Sequence, residues 1–236
     1  MRITLKNVQD NLNVLDDITC SFSTGITYVV GKNGAGKSSL LKLIATATEP
    51  TQGEIIFTKL NREEMYRKQL RMEEVRTMIG YMPQHFTGHQ EMTIKRYVTY
   101  IALHKGIPYH LVKPIVEKWL QETGLFLLQK RKLKELSGGQ LQKVGLIQAL
   151  INQPRICILD EPFESLDIEE KLYFQRVLQR LSFHSIVLFS THLIEEIRYN
   201  EGDVLYLNAG KLTFHGGVNE SEFVWRTLQE EDSTCI

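Results

Sequence analysis

Short apolar runs alternate with longer stretches of helical periodicity along this chain. Runs of apolar and β-branched residues predict strands at 3–8, 18–22, 26–30, 53–58, 78–84, 156–159, 185–189, 203–207 and 211–215. Apolar positions at helical spacing predict helices at 38–48, 92–104, 109–123, 141–151, 168–181 and 218–229. The charged stretch 61–77 is helix-prone and is predicted as a solvated surface helix. Strands alternating with helices indicate an α/β fold.

Strand patterns are absent from about Gly88 to Gln153, where helical periodicity occurs at 92–104, at 109–123 and again after Gly139. Pro108 and Pro114 interrupt the middle of this block, and Pro114 is expected in the first turn of a helix or at a kink. A helical block between strands of an α/β core predicts an inserted sub-domain.

Composition narrows the class of protein. Hydrophobic residues make up 42% and charged residues 24% of 236 residues, which is typical of a globular protein. Lysine and arginine number 28 against 28 acids, so no basic surface indicates nucleic acid. No apolar run approaches membrane-spanning length, and the first residues resemble a strand rather than a signal peptide. Cys20, Cys157 and Cys235 lack paired spacing, which suits a reducing cytoplasm.

A glycine-rich loop joins the strand at 26–30 to the first helix and matches G-x-x-x-x-G-K-[ST]. Glycines let backbone N–H groups wrap phosphate oxygens, and the helix dipole starting near Gly36 favours an anion. Lys37 is expected at the β- and γ-phosphates and Ser38 at Mg²⁺. A plain strand-to-helix turn is the alternative, but the flanking elements favour nucleotide binding. The predicted binding residues are Gly31, Asn33, Gly34, Ala35, Gly36, Lys37, Ser38 and Ser39.

Polar residues follow the predicted parallel strands, at the sheet edge where ligands bind. Asp160 and Glu161 end a fully apolar strand, so Asp160 is a candidate Mg²⁺ ligand and Glu161 a candidate to polarise an attacking water. Gln84 follows another strand and is placed to reach a metal or a water. His192 ends the strand at 185–189 and is expected at the same edge.

The pentapeptide Leu136–Gln140, with sequence LSGGQ, stands directly before a predicted helix. A serine cap and two glycines at a helix N-terminus form a second anion-binding end. Ser-Gly-Gly alone is a common loop, whereas the full pentapeptide is rare at average residue usage. The residues expected to contact phosphate here are Ser137, Gly138, Gly139 and Gln140.

Together these motifs resemble the ATP-binding subunit of an ABC transporter. The motifs that carry the resemblance are Walker A at Gly31–Ser39, the Q-loop at Gln84, the signature at Leu136–Gln140, Walker B at Ile156–Asp160, the following carboxylate Glu161, the D-loop at Ser165–Asp167 and the switch histidine His192. Their order and spacing agree over nearly the whole chain.

The resemblance implies an α/β P-loop NTPase fold: a RecA-like core with a parallel central sheet, an N-terminal antiparallel β part and an inserted helical sub-domain. One ABC ATPase domain is expected over 1–236, with the core at 1–87 and 154–236 and the helical signature sub-domain at 88–153. Two subunits, identical or homologous, would close around two ATP molecules, so that the signature acts on the partner's nucleotide.

The resemblance also implies roles and partners. Glu161 would orient the water, Lys37 and His192 would stabilise charge on the γ-phosphate, and Asp167 would contribute to the nucleotide site. Ser38, Gln84 and Asp160 would serve Mg²⁺ bound with ATP. Integral membrane subunits would use the cycle for transport, placing this chain in the cytoplasm, peripheral on the inner face of the cell membrane.

Some details refine the resemblance and others depart from it. Met92–Tyr97 and Leu103–Pro108 resemble the ABC-2 type, whose members are often exporters, and this favours export. The family usually stacks adenine on an aromatic residue in a loop before the second strand. The loop at Asp10–Asn13 has none, which predicts a weaker hold on the purine, and Lys143 stands where arginine is usual.

Other functions remain open at this point. A soluble ABC ATPase of DNA repair would need a long coiled-coil insertion, and one of translation usually joins two cassettes. A soluble ATPase of the iron–sulfur assembly type has a similar length and stays open. A nucleotide-binding scaffold without turnover is a third possibility.

Overall fold

Two sheets divide the strands of this chain in a computed structural model, which describes residues 1–12, 14–61, 66–191, 197, 201–222 and 224. The strands of these residues are β1 (Arg2–Gln9), β2 (Ile18–Ser23), β3 (Gly25–Val30), β4 (Gln52–Asn61), β5 (Tyr66–Gln69), β6 (Ile79–Met82), β7 (Ile156–Leu159), β8 (Ile186–Ser190), β9 (Asp203–Asn208) and β10 (Lys211–Gly217). Their α-helices are α1 (Lys37–Ile44), α2 (Met72–Met78), α3 (Ile94–His104), α4 (Tyr109–Glu122), α5 (Gly138–Leu150) and α6 (Ile168–Ser182). None of the described helices has the length and apolarity needed to cross a bilayer.

The larger sheet has the order β10-β9-β3-β8-β7-β6. Neighbours from β9 to β6 run parallel, and β10 pairs antiparallel with β9 at one edge. Every residue of β7 and β8 is buried, as expected for parallel strands covered on both faces. The carboxyl ends of β3, β6, β7 and β8 therefore meet at one edge. The smaller sheet, β2-β1-β4-β5, is antiparallel throughout.

Three groups of buried apolar side chains hold the layers together. The first packs the antiparallel sheet and α1 against one face of the parallel sheet. A second covers the opposite face with side chains of α5 and α6. The third lies among α3, α4 and α5 and includes Ile94, Val116 and Val144. Because α5 contributes to the second and third groups, it connects the helical block to the sheet.

The predicted surface helix at 61–77 is wrong in its first half. β4 continues to Asn61, and Tyr66–Gln69 forms β5, which pairs with β4 from Thr58 to Asn61. Residues 62–65 lie outside the described residues, and within the described part of the segment only Met72–Met78 is helical. Pairing with a strand that already exists satisfies the backbone of a charged, locally helix-prone segment, so tertiary context outweighs propensity here.

The first helix also ends earlier than predicted, at Ile44 rather than Thr48. Thr46 adopts a left-handed φ of 57°. Its N–H donates to the carbonyl of Leu43 at 3.0 Å, and that of Ala47 donates to the carbonyl of Lys42 at 3.0 Å. This pair of bonds is a Schellman termination, which a sequence without glycine at this point did not indicate.

The other predicted elements agree with the structure to within a few residues at their ends. The exception is the start of the last predicted helix: Val218–Glu220 forms a short 3-10 turn, Glu222 and Val224 are helical, and residue 223 and the chain after 224 lie outside the described residues.

Candidate nucleotide site

The glycine-rich loop leaves β3 at Gly31 and enters α1 at Lys37. Gly36 has a φ of 101°, and a Cβ built on it would lie 2.6 Å from Cδ2 of Leu15. Both the backbone conformation and the space therefore require glycine at this position. The first turn of α1 carries no acidic residue, which favours an anion at its N-terminus.

Lys37 is held inside this loop. Its side chain is buried, and Nζ donates to the carbonyl oxygens of Gly31 at 2.6 Å and Lys32 at 3.1 Å. Burial lowers the pKa of Lys37, and the negative charges of Glu161 and Asp160 oppose that shift. The lysine therefore lies within electrostatic range of both carboxylates that the sequence placed at the end of β7.

Asp160 and Glu161 share one hydroxyl group at the carboxyl ends of β7 and β8. Leu159 pairs with Phe189, which sets Asp160 beside Ser190. The Ser190 hydroxyl donates to Oδ1 of Asp160 at 2.6 Å and accepts from the N–H of Glu161 at 2.8 Å. The carboxylate of Asp160 is thereby fixed in orientation, as is the backbone of Glu161.

The other carboxylate oxygen of Asp160 has no hydrogen-bond partner among the described residues. Asp160 is only 1% exposed, and among the described residues no donor reaches its Oδ2. A buried anionic oxygen without a partner costs free energy unless a cation or donor joins it. The Asp160 carboxylate, the Ser38 hydroxyl and the amide oxygen of Gln84 are all oxygen donors, the type of ligand that suits Mg²⁺. The residues therefore fit the ion that the sequence predicts.

Gln84 lies at the same edge of the sheet. It follows β6 and is half-buried, and the end of that strand is joined to β7 because the N–H of Asp160 donates to the carbonyl of Met82 at 3.0 Å. His192, the predicted partner of the γ-phosphate, lies outside the described residues.

The signature residues begin α5 and face away from the chain's interior. Ser137 caps the helix: its Oγ accepts from the N–H of Gln140 at 3.3 Å, and its own N–H donates to Oε1 of Gln140 at 3.1 Å. Ser137 and Gly138 are exposed. The structure thus presents this end of α5 to solvent.

Within this chain, the signature packs against the segment predicted to be the D-loop. A Cβ on Gly139 would lie 2.5 Å from the carbonyl oxygen of Ser165. Farther along α5, Nζ of Lys143 contacts Oε1 of Glu170 at 2.6 Å, although both side chains are largely buried. Glu170 also completes the cap of α6, whose N-cap is Asp167. The lysine that replaces the usual arginine therefore makes an ion pair between the two segments.

We expect Gly139→Ala to destabilise the fold and Gly138→Ala to be tolerated. Neither glycine has a positive φ, so the difference is one of space. A methyl group on Gly139 must displace the backbone of Ser165, whereas one on Gly138 comes no nearer than 3.8 Å to Ser165 Oγ. In urea unfolding, Gly139→Ala should lose about 1–3 kcal/mol, and Gly138→Ala should change by less than about 1 kcal/mol. Equal losses in the two variants would contradict this packing.

Two polar residues at the site were missed by the sequence prediction. Ser190 orients Asp160 and Glu161, and its position opposite Asp160 at a strand end was an available signal. Gln142 donates from Nε2 to the carbonyl oxygen of Glu161 at 3.0 Å. No sequence pattern marks a side chain that binds a distant main-chain carbonyl.

The loop before β2, where the sequence predicts the purine to bind, is held by Asp10. Its Oδ1 accepts from the N–H groups of Val14 at 2.7 Å and Leu15 at 2.9 Å. Leu12 is 76% exposed, and Asn13 lies outside the described residues. This loop reaches the P-loop, because a Cβ on Gly36 would contact Val14 and Leu15. Leu12, Val14 and Leu15 are aliphatic, so the described part of this loop presents no aromatic side chain.

Comparison with known proteins supports one family. The ABC transporter family matches residues 15–164. The ABC transporter ATP-binding protein NatA of Bacillus subtilis (strain 168) is 29% identical, over 93% of this chain and 87% of NatA. The spermidine/putrescine import ATP-binding protein PotA of Spiroplasma citri is also 29% identical, over 99% of this chain and 68% of PotA.

A solved structure shows the same fold. The dimeric ATP-binding cassette MJ0796, in a post-hydrolysis state with ADP and phosphate, superimposes with a TM-score of 0.79 at 24% identity. It covers 92% of this chain and 98% of the MJ0796 chain. The match places the α/β core and its helices in the P-loop NTPase fold that the motifs implied. The chain therefore belongs to the ABC transporter family, as one of its ATP-hydrolysing cassettes.

Proposed function

We propose that this chain binds Mg²⁺·ATP at the P-loop and hydrolyses it as the motor subunit of a transporter. One observation carries the proposal: Oδ2 of the buried Asp160, to which none of the described residues donates, lies at the sheet edge where the buried Lys37 ends the P-loop. In this arrangement the Lys37 ammonium group would bind the phosphates, and the Asp160 carboxylate would bind the metal ion that accompanies them. An isolated structural turn would not leave such a group unsatisfied.

In the proposed reaction, water attacks the γ-phosphorus and the bond to the β–γ bridging oxygen breaks, which yields ADP and inorganic phosphate. Glu161 orients this water and accepts its proton, while Lys37 and His192 stabilise the charge that develops on the γ-phosphate. Ser38, Gln84 and Asp160 would hold Mg²⁺, which neutralises charge between the β- and γ-phosphates. Most of the catalysis in this scheme is positioning, which the hydrogen bonds of Ser190 provide.

Each nucleotide site is proposed to need a second subunit, either identical or homologous. The exposed Ser137 and Gly138 support this arrangement, because the N–H groups at the start of α5 remain available to a partner's γ-phosphate. Gln140 and Asp167 cap the two helices that border this surface. MJ0796 is described as dimeric, and the similar fold makes the same pairing feasible here.

The proposed division of the chain assigns 1–87 and 154–236 to the nucleotide-binding core and 88–153 to a helical sub-domain. Support comes from the separate apolar group among α3, α4 and α5, centred on residues such as Ile94 and Val116. A block with its own core can move as a unit on the sheet.

The proposed partners are integral membrane subunits, which would place the chain in the cytoplasm against the inner face of the membrane. NatA and PotA are both named as ATP-binding proteins of transporters. PotA is an import protein by name, so the export direction predicted from Met92–Tyr97 and Leu103–Pro108 gains no support from it. The proposal is therefore ATP-driven transport through separate membrane subunits, with no nucleic acid involved.

Purification of the tagged full chain from its own cells tests the transport proposal. We expect an integral membrane protein to co-purify from detergent-solubilised membranes, and Mg²⁺-dependent release of phosphate from ATP by the complex. Recovery with soluble partners alone would favour the soluble iron–sulfur assembly type of ATPase. Binding of ATP without any phosphate release would favour a scaffold instead.

A further inference from the structure

A hydrogen bond joins the signature helix to the backbone of the proposed hydrolytic residue. Gln142 lies on α5, five positions after the N-cap Ser137, and is half-buried. Its Nε2 donates to the main-chain carbonyl oxygen of Glu161 at 3.0 Å. The bond connects α5 to the carboxyl edge of the parallel sheet.

The backbone of Glu161 is unusual. Its φ is 48°, in the left-handed region that residues with a side chain rarely adopt. Such a conformation persists only where its surroundings hold it, and it is concentrated at functional sites. Here both main-chain polar groups of the residue are held by side chains: Ser190 accepts from the N–H at 2.8 Å, and Gln142 donates to the carbonyl oxygen.

These two bonds act on different sides of Glu161. Ser190 belongs to the sheet, and its hydroxyl is also bonded to Asp160, so it holds the N–H on the amino side of Glu161 in place. Gln142 holds the carbonyl group on the carboxyl side of Glu161, which leads to Pro162. The direction in which a side chain leaves the backbone follows from both, so loss of either bond lets the left-handed conformation relax.

We infer that Gln142 is a positioning residue for ATP hydrolysis: by holding the carbonyl of Glu161, it keeps the carboxylate where it can orient the attacking water. This inference rests on the proposed function, in which Glu161 acts on that water. A catalytic group misplaced by about 1 Å loses about 100-fold in rate, so a single distant hydrogen bond suffices for a large effect. The same helix presents Ser137 and Gly138, which ties Glu161 to the surface proposed to contact the second subunit.

The chain offers a matched control on the same helix. Nε2 of Gln148 donates to the main-chain carbonyl of Tyr81, at the end of β6, at 3.4 Å. Gln148 also accepts a hydrogen bond from Tyr97. A substitution at Gln148 therefore removes a helix-to-strand bond of the same kind without touching Glu161.

The experiment compares Gln142→Met, Gln148→Met and Glu161→Gln in the purified full chain, with Gln142→Glu as a second variant of nearly unchanged size. Methionine keeps the length and the helix propensity of glutamine but has no donor. We expect kcat for Mg²⁺·ATP to fall about 10- to 100-fold in both Gln142 variants, with KM and the ATP Kd within about twofold of wild type. Gln148→Met should keep kcat within about twofold while Tm falls at least as much as in Gln142→Met.

The outcomes separate this inference from the proposed function. A wild-type kcat in both Gln142 variants, beside an inactive Glu161→Gln, overturns the positioning role and leaves the proposed function standing. An equal loss of kcat in Gln148→Met also overturns it, because the effect would then be general packing of α5. Full turnover in Glu161→Gln would instead remove the proposed role of Glu161.

Discussion

Replacing Glu161 with glutamine is expected to abolish ATP turnover and to leave ATP binding intact. Glutamine keeps the size of the side chain but cannot take the proton of the attacking water. General-base catalysis contributes about 10²- to 10⁴-fold, so turnover should fall by at least about 100-fold. The residues proposed to bind phosphate, including the buried Lys37, are untouched. The ATP Kd should therefore stay within about threefold of wild type.

The same variant should accumulate as a dimer. If hydrolysis reopens the pair, a chain that binds ATP without hydrolysing it remains closed. Size-exclusion chromatography with ATP and Mg²⁺ should show this dimer for Glu161→Gln and the monomer without nucleotide. Glu164→Gln is the matched control, because Glu164 is an exposed carboxylate three positions farther on and should leave turnover unchanged. Turnover near the wild-type rate in Glu161→Gln would eliminate its hydrolytic role.

Asp160→Asn is expected to lower activity without lowering the stability of the metal-free protein. In the chain without metal, Asp160 is a buried anion, and the described residues supply no donor to its Oδ2. Asparagine keeps the shape and can still accept from Ser190. Removing the buried charge should therefore leave the metal-free protein as stable as wild type or more stable by about 1–2 kcal/mol.

In the presence of Mg²⁺·ATP, wild type should instead be more stable than Asp160→Asn. A ligand that binds the folded state stabilises a protein more as its affinity rises, so wild type should gain Tm on adding Mg²⁺·ATP and Asp160→Asn should gain much less. We expect kcat to fall by at least about 100-fold, because a proposed ligand of Mg²⁺, the ion that would offset the transition-state charge, is lost.

Thermal unfolding with and without Mg²⁺·ATP, together with phosphate release, measures both effects. Asp16→Asn serves as the control, since Asp16 is an exposed partner of Lys211 at 3.3 Å. It should change neither Tm nor kcat. If Mg²⁺·ATP raises the Tm of Asp160→Asn as much as it raises the Tm of wild type, this carboxylate does not hold the metal.

The phosphate-binding loop shows which features of this protein can be predicted from local sequence. The strand before the loop and the start of the helix after it follow from neighbouring residues, and the structure has them where the sequence predicts them. The same holds for the cap of α5 at Ser137. Interactions over three or four residues set such features, so they can be predicted without knowledge of the fold. The lack of space for a side chain at Gly36 is different, because Leu15 of another segment sets it.

The segment 61–77 shows where local reasoning fails. Its charges and helix propensity are real, yet β5 forms because β4 is present to pair with it. The early end of α1 likewise depends on Thr46 adopting a left-handed conformation. In both cases, backbone hydrogen bonds that are satisfied by the fold outweigh the preference of the segment itself.

By itself, the sequence determined the order of strands and helices, the P-loop, the signature and the carboxylates that end β7, because periodicity and residue chemistry are local. Only the tertiary structure decided how these parts meet. Ser190 reaches Asp160 across 30 positions of sequence, and Gln142 reaches Glu161 across 19. These contacts arise from the parallel register of β7 and β8 and from the packing of α5, which no local pattern encodes.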